Sequence, residues 1–265
     1  MSSLVDAAIL GIIQGLTEFL PVSSTAHLLI AERLLGFEDP DGVFTVMIQL
    51  GSILAIVWLY RERVLSVVTG LTSRPEARRF ALTVLVAFVP AVIAGAFLAP
   101  FVKNVLYESF GVIGAAFILG GVAMLFLERT RPAPDVTSVD AVPIRRALGV
   151  GLCQTLALVP GVSRSGATII GGLAMGLDRP VAAEFSFFLA IPTLSAAFAH
   201  ELLEVSGNLD RAPIAEIAVG FVTAFIASVV VVKPFLGMVR RSGFAPFAWY
   251  RIAAGALLLA AVYVF

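Results

Sequence analysis

Sulfur chemistry has almost nothing to work with in this chain. A single cysteine, Cys153, stands among 265 residues, so no internal disulfide can form, and no Cys-x-x-Cys or His/Cys cluster offers a zinc or haem site. Charge is scarce too: charged residues make up 14% of the sequence, with 18 Lys and Arg against 18 Asp and Glu, where soluble domains carry about 25%. That zero balance leaves no basic surface for nucleic acid and excludes nucleic-acid binding as a function. The first thirty residues lack the basic start of a secretory signal and carry Asp6 and Glu18, so they are expected to remain in the mature protein.

What fills the space is apolar. Hydrophobic residues reach 59%, above the roughly 45–50% of ordinary globular domains. A membrane-spanning helix needs about 20 mostly apolar residues, and six stretches qualify: 44–60, 80–99, 109–127, 181–203, 214–232 and 247–265. None carries a charge deep in its middle. Two further apolar stretches, 4–30 and 144–178, are interrupted by Pro, Gly, Ser and charged residues.

Those two resemble each other. Setting GIIQGLTEFLPVSSTAHLLI at 11–30 against GLCQTLALVPGVSRSGATII at 151–170 matches Gly11 with Gly151, Gln14 with Gln154, Leu16 with Leu156, Val22 with Val162, Ser23 with Ser163 and Ile30 with Ile170. Three spanning stretches follow each copy at similar distances, the pattern of a duplication. Lys and Arg collect in cytoplasmic loops. The segments 61–79 (Arg61, Arg63, Arg74, Arg78, Arg79), 128–146 (Arg129, Arg131, Arg145, Arg146) and 233–246 (Lys233, Arg240, Arg241) are therefore expected as cytoplasmic loops. The segments 31–43, 100–108 and 204–213, with Glu38, Asp39, Asp41, Glu108, Glu204 and Asp210, are expected outside, as are both chain ends. On this topology 144–178 enters and leaves one face as a re-entrant hairpin, and 4–30 does the same from the opposite face.

The expected fold class is an all-α polytopic membrane protein with an inverted-topology repeat, each half one re-entrant helix hairpin plus about three transmembrane helices. The first repeat is 1–127, a cytoplasmic linker 128–143, and the second repeat 144–265, all in one integrated membrane domain. Non-helical backbone at membrane depth needs protein or a watery cavity around it, so the two broken tips are expected to meet at one buried polar pocket.

The tips carry the residues suited to chemistry. In QGLTEFLPVSSTAH, Gln14 and Glu18 stand four apart on one helix face, Pro21 ends the helix, and Ser23, Ser24, Thr25 and His27 follow. In PGVSRSGAT, Pro160 and Gly161 open a turn, Ser163 and Ser165 flank Arg164, and Gly166 would let backbone come close to a ligand. Arginine's planar fork, hydroxyls and helix-start amides all suit phosphate oxygens, and an acid, a hydroxyl, an imidazole and an arginine fit phosphoryl transfer. Plainer roles stand beside these. Glu18 and Arg164 could simply pair with each other, His27 could be a satisfied core histidine, Ser and Thr hydroxyls often satisfy helix carbonyls, Glu184 suits a helix start, and His200 beside Glu201 fits the interface.

At these two segments the sequence resembles the undecaprenyl-diphosphate phosphatase family of the bacitracin-resistance type. The resemblance rests on Gln14 and Glu18 followed by PVSSTAH, on PGVSRSGAT around Arg164, and on AAEFSFFLAIP at 182–192, and it extends along essentially the whole chain. It implies a multi-pass enzyme of the plasma membrane that hydrolyses undecaprenyl diphosphate, a polyprenyl diphosphate lipid, to the monophosphate carrier used in cell-wall synthesis. It also implies a site facing the extracytoplasmic side and a divalent cation, magnesium or calcium. By motif position Glu18 would bind the metal or do acid/base work, and Ser24 or Thr25 would contact or attack the phosphate. His27 would assist proton transfer and Arg164 would clamp the diphosphate. Gln14, Ser23, Ser163, Ser165 and Gly166 would complete the substrate-binding set. Gln14 replaces a first Glu, leaving one carboxylate fewer for a metal. A serine nucleophile, with His27 three residues on to take its proton, and direct attack by water both remain open. A homodimer is compatible with the sequence. The alternative reading is a polyprenyl-phosphate lipid flippase or secondary transporter, since inverted repeats with broken helices build those as well.

Overall fold

The computed structural model describes residues 3–39, 42–102, 106, 109–207 and 213–264. Asp41, Glu108 and Asp210 of the acidic loops lie outside them. The described residues form an all-helical protein: α1 Leu4–Thr17, α2 Ser24–Leu35, α3 Val43–Leu59, α4 Arg61–Gly70, α5 Pro75–Phe101, α6 Phe110–Thr130, α7 Ile144–Gln154, α8 Arg164–Ala174, α9 Arg179–Val205, α10 Ile214–Ser242 and α11 Ala245–Val264.

Among these, α5, α6, α9, α10 and α11 are each long and apolar enough to cross a bilayer, and α3 with α4 adds a sixth crossing if the bent pair counts as one. Two of the expected loops are largely helix. In 61–79, α4 continues the chain after a 76° bend at Tyr60, because Arg61 and Arg63 alternate with Val64, Leu65, Val67 and Val68 at helical spacing. In 233–246, α10 runs on through Lys233, Arg240 and Arg241 to Ser242. Its 29 residues extend about 44 Å, longer than the roughly 30 Å hydrocarbon core, so the helix is long enough to cross and still carry its basic last turns beyond it.

The two interrupted stretches form helical hairpins, α1 with α2 and α7 with α8. Ala7 and Leu10 pack with Leu28 and Ala31, so α1 starts where α2 finishes. At the second hairpin the amides of Asp135 and Val136, just before α7, donate to the carbonyl of Gly176, just after α8, at 3.1 and 3.3 Å. Each hairpin seats on a long helix from the other part of the chain. A Cβ on Gly11 or Gly15 would run into the backbone of α10 at Gly220 and Ala224, and one on Gly151 into the backbone of α5 at Ala87. Small residues let helices approach this closely without a hydrophobic drive from lipid. Gly114 and Gly255 do the same between α6 and α11.

Ion pairs collect the basic segments at one end. Arg63 meets Asp140, Arg179 meets Glu128, and Glu128 also accepts from the amide of Phe244 at 3.4 Å. At the other end Thr45 donates to Glu32 at 3.0 Å, Asp39 accepts from the amides of Phe44 and Thr45, and Arg33 lies over the ring of Phe110. Between them the core is rich in phenylalanine: Phe19 meets Phe187 edge-on at 5.7 Å, and Phe235 and Phe244 extend the cluster.

Candidate active site

Both hairpins turn at the same place in the aligned segments, and both do so through serine. Ser23 (φ 72°) and Ser163 (φ 74°) are the two non-glycine residues of positive φ among the described residues, a conformation that costs roughly 1–3 kcal/mol and persists only where the surroundings impose it. Each serine precedes the first turn of a helix. The Ser163 hydroxyl caps α8 by accepting from the Gly166 amide at 3.1 Å. Ser23 makes no such cap on α2, leaving that helix start free for an anion.

Glu18 sits at the end of α1, 6% exposed, and gathers three donors. Its Oε1 accepts from Arg164 Nη2 at 2.9 Å, and its Oε2 accepts from Ser24 Oγ at 2.6 Å and Gln14 Nε2 at 3.1 Å. Arg164 donates through Nη1 to the carbonyl of Ser186 at 3.2 Å and lies 5.9 Å from the ring centre of Phe19. Its Nε is buried with no hydrogen-bond partner, a donor left over for a ligand oxygen. A pocket of about 90 Å³ opens over this group, with Ser23, Ser24, Thr25, Gln49, Ser163 and Leu194 in its wall. A larger cavity of about 210 Å³ lies at the basic end, but Arg63 and Arg74 in its wall are engaged by Asp140 and the Ser66 carbonyl. The smaller pocket is where acid, hydroxyl and cation converge.

Of the residues expected at the site, Gln14, Glu18, Ser24 and Arg164 form one connected network, and Ser23, Thr25 and Ser163 line the pocket beside it. Three have other surroundings. Ser165 donates to the carbonyl of Leu20 at 2.7 Å, strutting one tip against the other. Gly166 does not open toward the pocket, since a Cβ there would meet the guanidinium of Arg251 at 3.0 Å. His27 is not placed to take a proton from Ser24. Its Nδ1 lies 2.7 Å from the Ser23 carbonyl and its Nε2 lies 2.6 Å from the Tyr250 hydroxyl. A carbonyl can only accept, so a neutral ring carries its proton on Nδ1 and accepts from Tyr250. Ser24 turns to Glu18 because the six-residue separation across the tip brings the hydroxyl to the carboxylate.

Four neighbours escape sequence reasoning. Gln49 is a polar residue within an apolar span. Ser186 contributes a carbonyl. Tyr250 reaches His27 from α11, and Arg251 beside it is fully buried. The signal for Arg251 is an arginine inside the stretch 247–265, costly in lipid unless something holds it. Near a helix end, however, an arginine reads as one that snorkels to the interface.

Metal donors near the site are all oxygen: the Glu18 carboxylate, the Ser23, Ser24 and Thr25 hydroxyls and the Gln49 amide. No group of three or more His, Cys, Asp or Glu residues that could hold a metal occurs among the described residues. This set suits a hard cation whose remaining ligands come from substrate phosphates, the usual arrangement for magnesium.

The sequence model of the bacitracin resistance protein BacA matches residues 7–257 of the chain. The chain is 49% identical over 261 residues to the undecaprenyl-diphosphatase of Cereibacter sphaeroides, covering 98% of this chain and 97% of that one. It is 49% identical over 262 residues to undecaprenyl-diphosphatase 1 of Agrobacterium fabrum, covering 99% and 98%. With the undecaprenyl-diphosphatase of Caulobacter vibrioides the identity is 48% over 258 residues, covering 97% of each.

Proposed function

Because the chain belongs to the bacitracin resistance protein BacA family, we infer that it is an integral membrane hydrolase that removes the terminal phosphate of undecaprenyl diphosphate. The observation that carries this reading is the contact of the Ser24 hydroxyl with Glu18, itself paired with Arg164, at an uncapped helix start. A flippase needs groups that bind; a hydroxyl held by a carboxylate is a group that reacts.

In the reaction we derive, the diphosphate lies over the first turn of α2. Ser24 Oγ attacks the terminal phosphorus, Glu18 takes its proton, and the bond to the bridging oxygen breaks, so undecaprenyl monophosphate leaves with the electron pair. Water then attacks the phosphorus of the phosphoserine, the bond from phosphorus to Ser24 Oγ breaks, Oγ takes back the proton held by Glu18, and inorganic phosphate departs with both hydrogens of the water. Arg164 leans from Glu18 toward the transferring group, and its free Nε meets one phosphoryl oxygen, stabilising charge where phosphoryl transfer needs it. Ser23, Thr25 and Ser163 add hydroxyl donors. His27 steadies the Ser23 carbonyl and hence the turn. A magnesium or calcium ion would be held by Glu18 with the Ser24 hydroxyl and diphosphate oxygens, and it would supply charge neutralisation. Ala157, Val159 and Leu194 on the pocket rim give the polyprenyl tail an apolar way out toward lipid.

The matched Ser23 and Ser163 turns and the reciprocal seating of α1 on α10 and α7 on α5 support two inverted halves, each with its hairpin re-entrant. The basic segments meeting at one end support that end as cytoplasmic. Gln49 lies six residues into α3, about 9 Å from its acidic-end start, which supports access from the extracytoplasmic side.

Purified protein in detergent, given undecaprenyl diphosphate and no gradient or second compartment, should release phosphate, and acid-quenched enzyme should carry phosphate on Ser24. Ser24→Ala should lose both. Turnover by Ser24→Ala near the normal rate would rule out the serine route, and absence of hydrolysis by the intact protein would rule out the phosphatase.

A further inference from the structure

Arg251 is the largest fully buried side chain among the described residues, and none of them supplies it with a carboxylate. An arginine has five N–H donors, and here each meets a different backbone carbonyl. Nε reaches Phe117 at 3.4 Å, Nη1 reaches Pro21 at 3.1 Å and Val162 at 2.8 Å, and Nη2 reaches Ala116 at 3.1 Å and Gly161 at 2.9 Å. Pro21 belongs to the first hairpin tip, Gly161 and Val162 to the second, and Ala116 and Phe117 to α6. One side chain from α11 therefore ties both broken tips to a spanning helix, at carbonyls that the tips themselves leave without helical partners.

Room for the guanidinium is built in. A Cβ on Gly120 would collide with it, and one on Gly166 would crowd it. Its position is also electrostatic. At the pocket Glu18 and Arg164 cancel each other, so Arg251, one backbone layer behind Gly161 in the pocket wall, is the charge left over. A diphosphate brings negative charge that the Glu18–Arg164 pair alone does not balance.

We propose that Arg251 is a positioning residue for the phosphatase reaction, holding the two tips in register through its five-donor fork and contributing an uncompensated positive charge behind the diphosphate subsite. The inference rests on the reading of the Glu18–Arg164 pocket as that subsite. Its two parts separate in Arg251→Lys and Arg251→Met. Lysine keeps the charge but has three donors for five carbonyls; methionine has neither. Measured in detergent with undecaprenyl diphosphate as substrate and inorganic diphosphate as competitive inhibitor, Arg251→Lys should hold KM and the inhibition constant within about threefold while kcat falls at least about tenfold. Arg251→Met should lose kcat and weaken inhibition by at least about tenfold, which is about 1.4 kcal/mol of binding. A structural strut alone would lower the melting temperature without that split between KM and kcat. Folded Arg251→Met with normal kcat and inhibition, or variants that lose melting temperature alone, would overturn the proposal. If neither variant folds, Gly120→Ala decides, since it displaces the guanidinium and keeps the charge: a lowered kcat with unchanged inhibition supports the proposal, and a normal kcat overturns it. Failure of all three to fold would assign Arg251 to the scaffold and overturn it too. An unmodified protein that inorganic diphosphate does not inhibit would instead remove the subsite reading itself.

Discussion

Arg164 offers the sharpest test of the site, because its pair with Glu18 makes both a stability and a rate prediction. The two side chains are 11% and 5% exposed and meet at 2.9 Å. Breaking a buried pair by deleting one partner costs about 3–5 kcal/mol, since the other charge is left uncompensated. Glu18 retains hydrogen bonds from Ser24 and Gln14, so Arg164→Ala should fall near the lower end, about 3 kcal/mol. Removing Glu18 as well should recover part of that loss, giving a coupling of the order of 1–3 kcal/mol in a double-variant cycle. Arg164→Lys separates pairing from clamping. An ammonium can still meet Glu18, so stability should stay within about 1 kcal/mol of the unmodified protein, but it offers a point charge where the guanidinium holds Ser186, Glu18 and a phosphoryl oxygen together. kcat should then drop by at least about tenfold, each tenfold being about 1.4 kcal/mol of lost transition-state stabilisation. Melting temperature and phosphate release, measured on the same detergent preparation, decide between them. A stable, fully active Arg164→Ala protein would refute the clamp. Arg164→Lys with a rise in KM and normal kcat would confine the arginine to ground-state binding.

Glu18→Gln keeps the shape of the side chain and removes its charge, so turnover should vanish while the protein remains folded; near-normal phosphate release would take Glu18 out of the mechanism. Gly15→Leu places a side chain where Ala224 and Ser228 backbone already sit and should destabilise by at least about 1–3 kcal/mol, read as a lower melting temperature, whereas an unchanged value would contradict the close seating of α1 on α10. Cysteines introduced at Ser73 and Asp210, in a Cys153→Ala background, should label from opposite sides of the membrane; labelling from one side would sink the inverted arrangement.

The sequence made the long helices legible because lipid imposes a simple rule, apolar residues over a fixed length, and α5, α6, α9, α10 and α11 obey it. It was less clear at helix ends. Lys233, Arg240 and Arg241 look like loop residues by charge, yet charge does not end a helix, and α10 runs on through all three. At the site, Glu18 and Arg164 stood out because a charge is expensive in an apolar setting, and Gln14 and Ser24 stood out by their places in the QGLTEFLPVSSTAH motif. The partner of Ser24 did not, because nearness in sequence favoured His27, while folding of the tip delivers Glu18 instead and gives His27 to Tyr250.

The alignment of the two hairpins holds more than the matched letters suggest. Ser24 and Arg164 occupy the same place, each the first residue of the helix after its turn, and Glu18 answers to Leu158. One tip carries a carboxylate and a hydroxyl, the other a cation, so neither tip alone holds the Glu18, Ser24 and Arg164 network, which forms only where they meet. Arg251 is what that meeting requires and what a local reading of sequence misses. Its partners are five carbonyls, atoms every residue possesses, so no pattern of side chains announces them. Only the cost of an arginine inside an apolar helix indicates that the chain must bring its own backbone to meet it.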